Sequence, residues 1–134
     1  MPTWSDGVFD GDGASDVLGT LRGEEAEQIE VAMEEAFEYV LEEERIAVYE
    51  VQEALALATV LAAKVDPDGA DRRARREADY LDVMPTRDIR LLAAQAVRRI
   101  LVPKGNDWYE YWGEQTPLDA IRLLAVRLDP GENA

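Results

Sequence analysis

The ten residues Ala54–Ala63 read Ala-Leu-Ala-Leu-Ala-Thr-Val-Leu-Ala-Ala, with Thr59 as their one polar side chain. Alanine and leucine are strong helix formers. A helix that is apolar on every side has no face to give to water and has to be enclosed. Ten residues are too few to cross a bilayer, which takes ~20. The enclosure must therefore come from the rest of the chain. This predicts a buried helix over Ile46–Val65, stopped by Asp66-Pro67-Asp68-Gly69.

The flanking segments supply the walls. Glu24–Glu44 places Ile29, Met33, Ala36, Phe37, Val40 and Leu41 at helical spacing, with glutamates on the other face. The apolar face changes near Glu42–Arg45, so a joint is expected there. Ala14–Arg22 reads as a short helix, capped by Asp12 or Ser15 and ended by Gly23. Asp71–Asp82 is a further short helix. Thr86 caps Arg87–Val102, whose stripe is Ile89, Leu92, Ala93, Ala96, Val97 and Ile100. Asn106 or Asp107 caps Trp108–Gly113, and Thr116-Pro117 opens Leu118–Leu128 with proline at the first helical position. No strand alternation and no internal repeat is present. The expected fold is all-α: a single compact bundle of five to seven helices around one buried central helix. It is expected to form one domain over residues 1–134. Residues 1–13 are expected to be a loop pinned by Trp4 and Phe9, and residues 129–134 a frayed tail. Trp108, Tyr109, Tyr111 and Trp112 are expected to seal that end of the bundle.

Charge narrows the function. The chain has 29 acids, 14 bases and a formal net charge of −15. Residues 1–66 hold 17 of the acids and 3 of the bases, whereas the remainder is nearly balanced. Nucleic acid and anionic lipid repel such a chain. With no His and no Cys, Ser-His-Asp and Cys-His triads, zinc fingers and redox pairs are excluded. Asp10-Gly11-Asp12-Gly13 invites a calcium reading, but an EF-hand loop begun at Asp10 would need an oxygen ligand where Ala14 stands and Glu where Leu21 stands. The nearby glycines follow no strand and precede no lysine, so they form no phosphate loop. Arg72, Arg73, Arg75 and Arg76 lie among Asp68, Asp71, Glu77 and Asp79. They balance local charge, dock on the acidic helix, or form a small phosphate patch. No cofactor, no metal and no enzymatic activity is expected. Met1–Phe9 lacks the basic start and apolar run of a signal peptide, and the absence of cysteine fits a cytoplasmic setting.

The candidate site is the polar face of the Glu24–Glu44 helix. Val31 falls among Glu27, Glu34 and Glu35, with Glu38 and Glu42 further along, and Tyr39 lies close to Glu35 and Glu42. Apolar anchors framed by carboxylates suit a protein-binding surface, where the anchors hold and the charges steer. Glu-rich solvated helices with a lone exposed Val or Tyr are also ordinary.

The run Trp4-Ser5-Asp6-Gly7-Val8-Phe9-Asp10-Gly11-Asp12-Gly13-Ala14-Ser15-Asp16 resembles the opening of an uncharacterised bacterial family, domain of unknown function 4259. Trp4, Gly7, Phe9, Asp12, Ala14 and Asp16 fall on its pattern, while Ser5 and Gly11 depart from it. Val51–Ala63 is similar to that family's Ala-rich helix, and Asn106–Trp112 to its late aromatic segment. The resemblance implies a small helical domain and carries no activity. The expected function is that of a small acidic helical binding protein. It would capture a basic protein partner in the manner of an immunity protein or antitoxin that neutralises a toxin or nuclease. It would bind no nucleic acid directly and no membrane. The alternative is a structural or assembly subunit, a homodimer through an apolar stripe or the terminal helix, with the acidic face only solubilising.

Overall fold

The computed structural model describes residues 4–131, with side chains from Gly7 onward. Eight α-helices and one 3-10 turn lie among the described residues: α1 (Trp4–Phe9), α2 (Asp12–Leu21), α3 (Ala26–Glu42), α4 (Val48–Val65), the turn Pro67–Gly69, α5 (Arg72–Tyr80), α6 (Arg87–Ile100), α7 (Asp107–Trp112) and α8 (Leu118–Leu128). The fold is all-helical, and no described helix is long and apolar enough to cross a membrane.

Helix α4 buries every residue from Ala54 to Ala63. It packs against all seven other α-helices. The single hydroxyl in the stretch is satisfied locally, since Thr59 Oγ1 donates to the Leu55 carbonyl at 2.7 Å. Helices α3 and α6 pack on each other as well as on α4, and α8 lies against both α4 and α6. Ile29, Met33, Phe37 and Val40 of α3 are all fully buried. Leu41, expected in that stripe, is instead 37% exposed, since it lies one residue past the inward-facing Val40.

The main correction concerns the N-terminus. Most of the expected loop is helical: Trp4–Phe9 is α1, an eighth helix beyond the five to seven expected, and α2 starts at Asp12 rather than Ala14. Gly11 is the N-cap of α2, and neither Asp12 nor Ser15 caps it by a side chain. Phe9 is buried at 2% exposure and lies under Arg73 of α5, whose guanidinium is 5.5 Å from the ring centroid. The predicted packing of the Trp4 side chain falls outside the described side chains.

Gly13 has a packing role. A Cβ at Gly13 would collide with the Tyr49 carbonyl oxygen of α4. The Gly13 N–H also donates to Gln52 Oε1 at 3.1 Å. Thus α2 starts in direct contact with the backbone of α4, which only glycine permits. Calcium-like spacing and helix-to-helix contact use the same residue types for different reasons.

The joint between α3 and α4 falls at Glu43–Ala47, so α4 begins two residues later than Ile46. Buried Ile46 forms a lone parallel bridge with Asn106: its N–H donates to the Gly105 carbonyl at 2.8 Å, and its carbonyl accepts from Asp107 at 3.0 Å. Arg45 pairs with Asp107 beside it. Gly105 adopts φ +66°, and a Cβ there would strike the Glu44 carbonyl. Asn106 both caps α7, accepting from the Tyr109 N–H at 2.9 Å, and donates to the Ile100 carbonyl at 2.7 Å. One buried side chain thereby ties the end of α6 to the start of α7.

Thr86 caps α6 as the sequence indicates, accepting from Ile89 at 3.4 Å, and Asp71 caps α5, accepting from Ala74 at 3.0 Å. Pro117 stands at the N-cap of α8 rather than at its first helical position, and no side chain caps that helix. The expected frayed tail is ordered at its start. Pro130 is buried, and Asp129 accepts from Arg98 of α6 at 2.6 Å and from the Gly131 N–H at 2.9 Å. The Arg98 hydrogen bond, then that of Gly131, holds the Asp129 carboxyl below the usual carboxylate range. Residues 132–134 lie outside the described residues.

Gly13 and Gly19 sit on the same helix, but nothing lies within 4 Å of a Cβ built at Gly19. Gly19→Ala should stabilise the fold by about 0.5–1 kcal/mol. Gly13→Ala should destabilise it by more than about 1 kcal/mol despite the same gain in helix propensity. Urea unfolding of the two variants checks the pair, and equal effects would remove the close-contact explanation.

Candidate functional site

At ~100° per residue, Glu27, Val31, Glu34, Glu35, Glu38 and Glu42 share roughly one third of the α3 circumference. That third is opposite Ile29, Met33, Phe37 and Val40, which packing on α4 and α6 holds inward. The structure thus gathers six of the seven candidate residues on one outward face. Val31 is 47% exposed at its centre, and Glu27, Glu35, Glu38 and Glu42 are exposed, with Glu34 half-buried. Tyr39 lies apart from them. Its ring packs against the core, and its hydroxyl accepts from the Ala47 N–H at 3.3 Å, bracing the α3–α4 joint.

The face is electrostatically uncompensated. Among the described residues, no glutamate of α3 takes part in an ion pair or side-chain hydrogen bond. Glu30, Glu34, Glu38 and Glu42 stand at successive i,i+4 positions, each step a like-charge pair that costs about 0.2–0.5 kcal/mol. Glu42, Glu43 and Glu44 also crowd the C-terminal end of α3, where the helix dipole favours cations.

The arginine cluster does not relieve this charge. Arg73 turns to Asp10 at 2.9 Å. Glu77, 7% exposed, accepts from Arg22 through both carboxylate oxygens at 3.2 and 3.1 Å. Arg22 also lies over the Tyr80 ring at 4.2 Å. Arg72, Arg75 and Arg76 make no ion pair among the described residues. Helix α5 thus serves to clamp α1 and α2.

Two features escaped the sequence reading. One is an acidic edge where α2 meets α4. The Tyr49 hydroxyl donates to Asp16 at 2.8 Å. That hydrogen bond, then desolvation and the charges of Asp16, Glu53 and Glu50, pushes the phenol from its ordinary 10.0 up to about 12. Burial, then repulsion by Glu50 and Asp16, raises the Glu53 carboxyl. Asp16 and Glu53 are too far apart in sequence for periodicity to pair them.

The other is a cleft of about 840 Å³ bounded by the α1–α2 junction, α4, α7 and the α7–α8 turn. The expected aromatic seal is only half made. Trp108 is buried at 4% exposure and meets the Tyr109 ring edge-on at 6.4 Å, but Tyr111 is 71% exposed and Trp112 41%. Both tryptophans line the cleft, spaced four apart on α7. Gly7, Asp10 and Asp12 line it as well, so the glycine-rich opening and the late aromatic segment meet here. The i,i+4 tryptophan pair was the available sequence signal, but nothing local shows that an N-terminal helix stops short of covering it.

A family model described as a domain of unknown function, DUF4259, matches residues 2–122. No curated protein and no solved structure matches the chain.

Two outcomes are expected. The double variant Glu34→Gln, Glu38→Gln should gain roughly 0.5–1 kcal/mol of stability at low ionic strength, fading as salt rises; a loss would mean that the glutamates have structural partners. In an alkaline titration followed by phenolate absorbance, Tyr49 should ionise near 12 and return towards 10 in Asp16→Asn. Because the folded value is raised, this contact contributes stability below the ordinary phenol range and loses it as pH climbs to about 12.

Proposed function

The chain belongs to the DUF4259 family of domains of unknown function, and on that footing, which supplies no activity, we propose that it is a small acidic helical binding protein that captures a basic protein partner. A toxin or nuclease neutralised through its nucleic-acid site is the partner class that best suits the charge. The observation that carries the reading is the outward face of α3: Glu27, Glu34, Glu35, Glu38 and Glu42 around exposed Val31, without a countercharge among the described residues. The fold gains nothing from this arrangement, since its like-charge steps and its C-terminal glutamates oppose α3. A basic surface would relieve that repulsion on binding. The carboxylates would speed encounter, and Val31 would be the desolvated anchor. Tyr39 braces the helix and acts behind the surface.

Assembly with a second copy is the competing reading. The apolar stripe of α3 is consumed within the fold, since Ile29, Met33, Phe37 and Val40 are each 0% exposed. The terminal helix remains, with Leu123 at 49% and Val126 at 65% exposure.

Tagged protein passed through a lysate of its native host at low ionic strength should retain a basic protein stoichiometrically and release it as salt rises. Glu34→Lys with Glu35→Lys should slow association with that protein by about tenfold or more at low salt. Association unchanged in that variant would defeat the steering role of α3. A dimer by light scattering, with no partner recovered at either salt, would favour assembly through α8.

A further inference from the structure

We propose that the cleft between the α1–α2 junction, α4 and α7 is a binding site for an alkyl cation: a guanidinium or primary ammonium group on an aliphatic chain. Its volume of about 840 Å³ lies in the range of small-molecule sites. Its lining residues divide the chemistry between them. Trp108 and Trp112 both line it, and Trp112, 41% exposed, keeps indole surface open, the side-chain surface with the strongest attraction for cations. Asp12 lines it at the α1–α2 junction, and its side chain makes no hydrogen bond or ion pair among the described residues. Asp10, at the same junction, is already held by Arg73. Val8, Leu55 and Ala120 provide apolar surface for an alkyl stem. Among the described residues no lysine or arginine lines the cleft, so an anionic ligand would meet the unpaired Asp12 carboxylate. A neutral apolar ligand would leave the Asp12 carboxylate unused. The indole of Trp112 stays 41% exposed on a helix whose other tryptophan is buried, and a cation with a hydrocarbon stem would cover it.

This site shares no residue with the acidic face of α3, so either can fail without the other. The test is calorimetric titration of the full chain with butylguanidinium, and with butylurea as its neutral isostere, while tryptophan emission is followed. Butylguanidinium should bind saturably at one site and perturb the emission, and butylurea should bind at least about tenfold more weakly. Trp112→Ala and Asp12→Asn should each weaken the cation by about fivefold or more. Both positions are exposed, and circular dichroism confirms that the variants remain folded. Glu34→Gln with Glu35→Gln should leave the affinity unchanged. Equal binding of the two probes, or affinity indifferent to both cleft variants, overturns the proposal. So does binding that emerges only in Trp4→Ala, because the chain itself would then occupy the cleft.

Discussion

Everything in this fold follows from the need to surround α4. Ten consecutive residues without a solvent face impose a demand for neighbours on all sides. A small chain meets that demand only by committing nearly every other helix to it. That is why even the six-residue helices α1 and α7 touch α4, and why glycine stands where α2 starts against its backbone. Such close approach leaves little tolerance for added volume. The same demand fixes the orientation of α3, because four large side chains must point inward and the glutamates have no alternative but to point out.

Charge is distributed by the same logic. Several cations of the second half hold elements together: Arg73 on Asp10, Arg98 on Asp129, and Arg90 on the Leu128 carbonyl at 3.1 Å. Arg22 and Arg45, two of the few cations of the first half, go to Glu77 and Asp107. Helix α3 receives none of them. Exposed pairs of this kind each contribute only ~0–1 kcal/mol, so their effect is more to fix which helix lies beside which than to stabilise the whole. The bidentate contact of Arg22 with buried Glu77 is the exception, because its loss would leave a carboxylate out of water and unpaired.

The helical class, the extents of α3, α4, α5 and α6 to within a few residues, and the caps at Thr86 and Asn106 were legible along the chain. Each depends on neighbours within about one helical turn. The outward face of α3 was legible too, because periodicity alone puts Val31 among glutamates. Tyr39 was not. A joint was expected near it, but its role there is set by the Ala47 N–H from which its hydroxyl accepts, in a segment anchored by Ile46 pairing with Asn106 sixty residues away. Residues 4–13 misled for a related reason. Glycine and aspartate signal turns when read locally, whereas here Gly13 permits contact with the α4 backbone, and α1 forms beside a surface that the sequence does not display.

The sequence by itself determined an all-helical chain with one enclosed helix and an acidic, unbalanced first half, because backbone propensity, side-chain period and charge count act over a few residues. Only the tertiary structure decided that Trp108 is buried while Trp112 stays half open, that Asp12 and both tryptophans line one cleft, and that Asp16 holds the Tyr49 phenol. Those relations join residues far apart along the chain. Their positions are set by how helices of fixed length pack around α4, a geometric condition that no local stretch of residues contains.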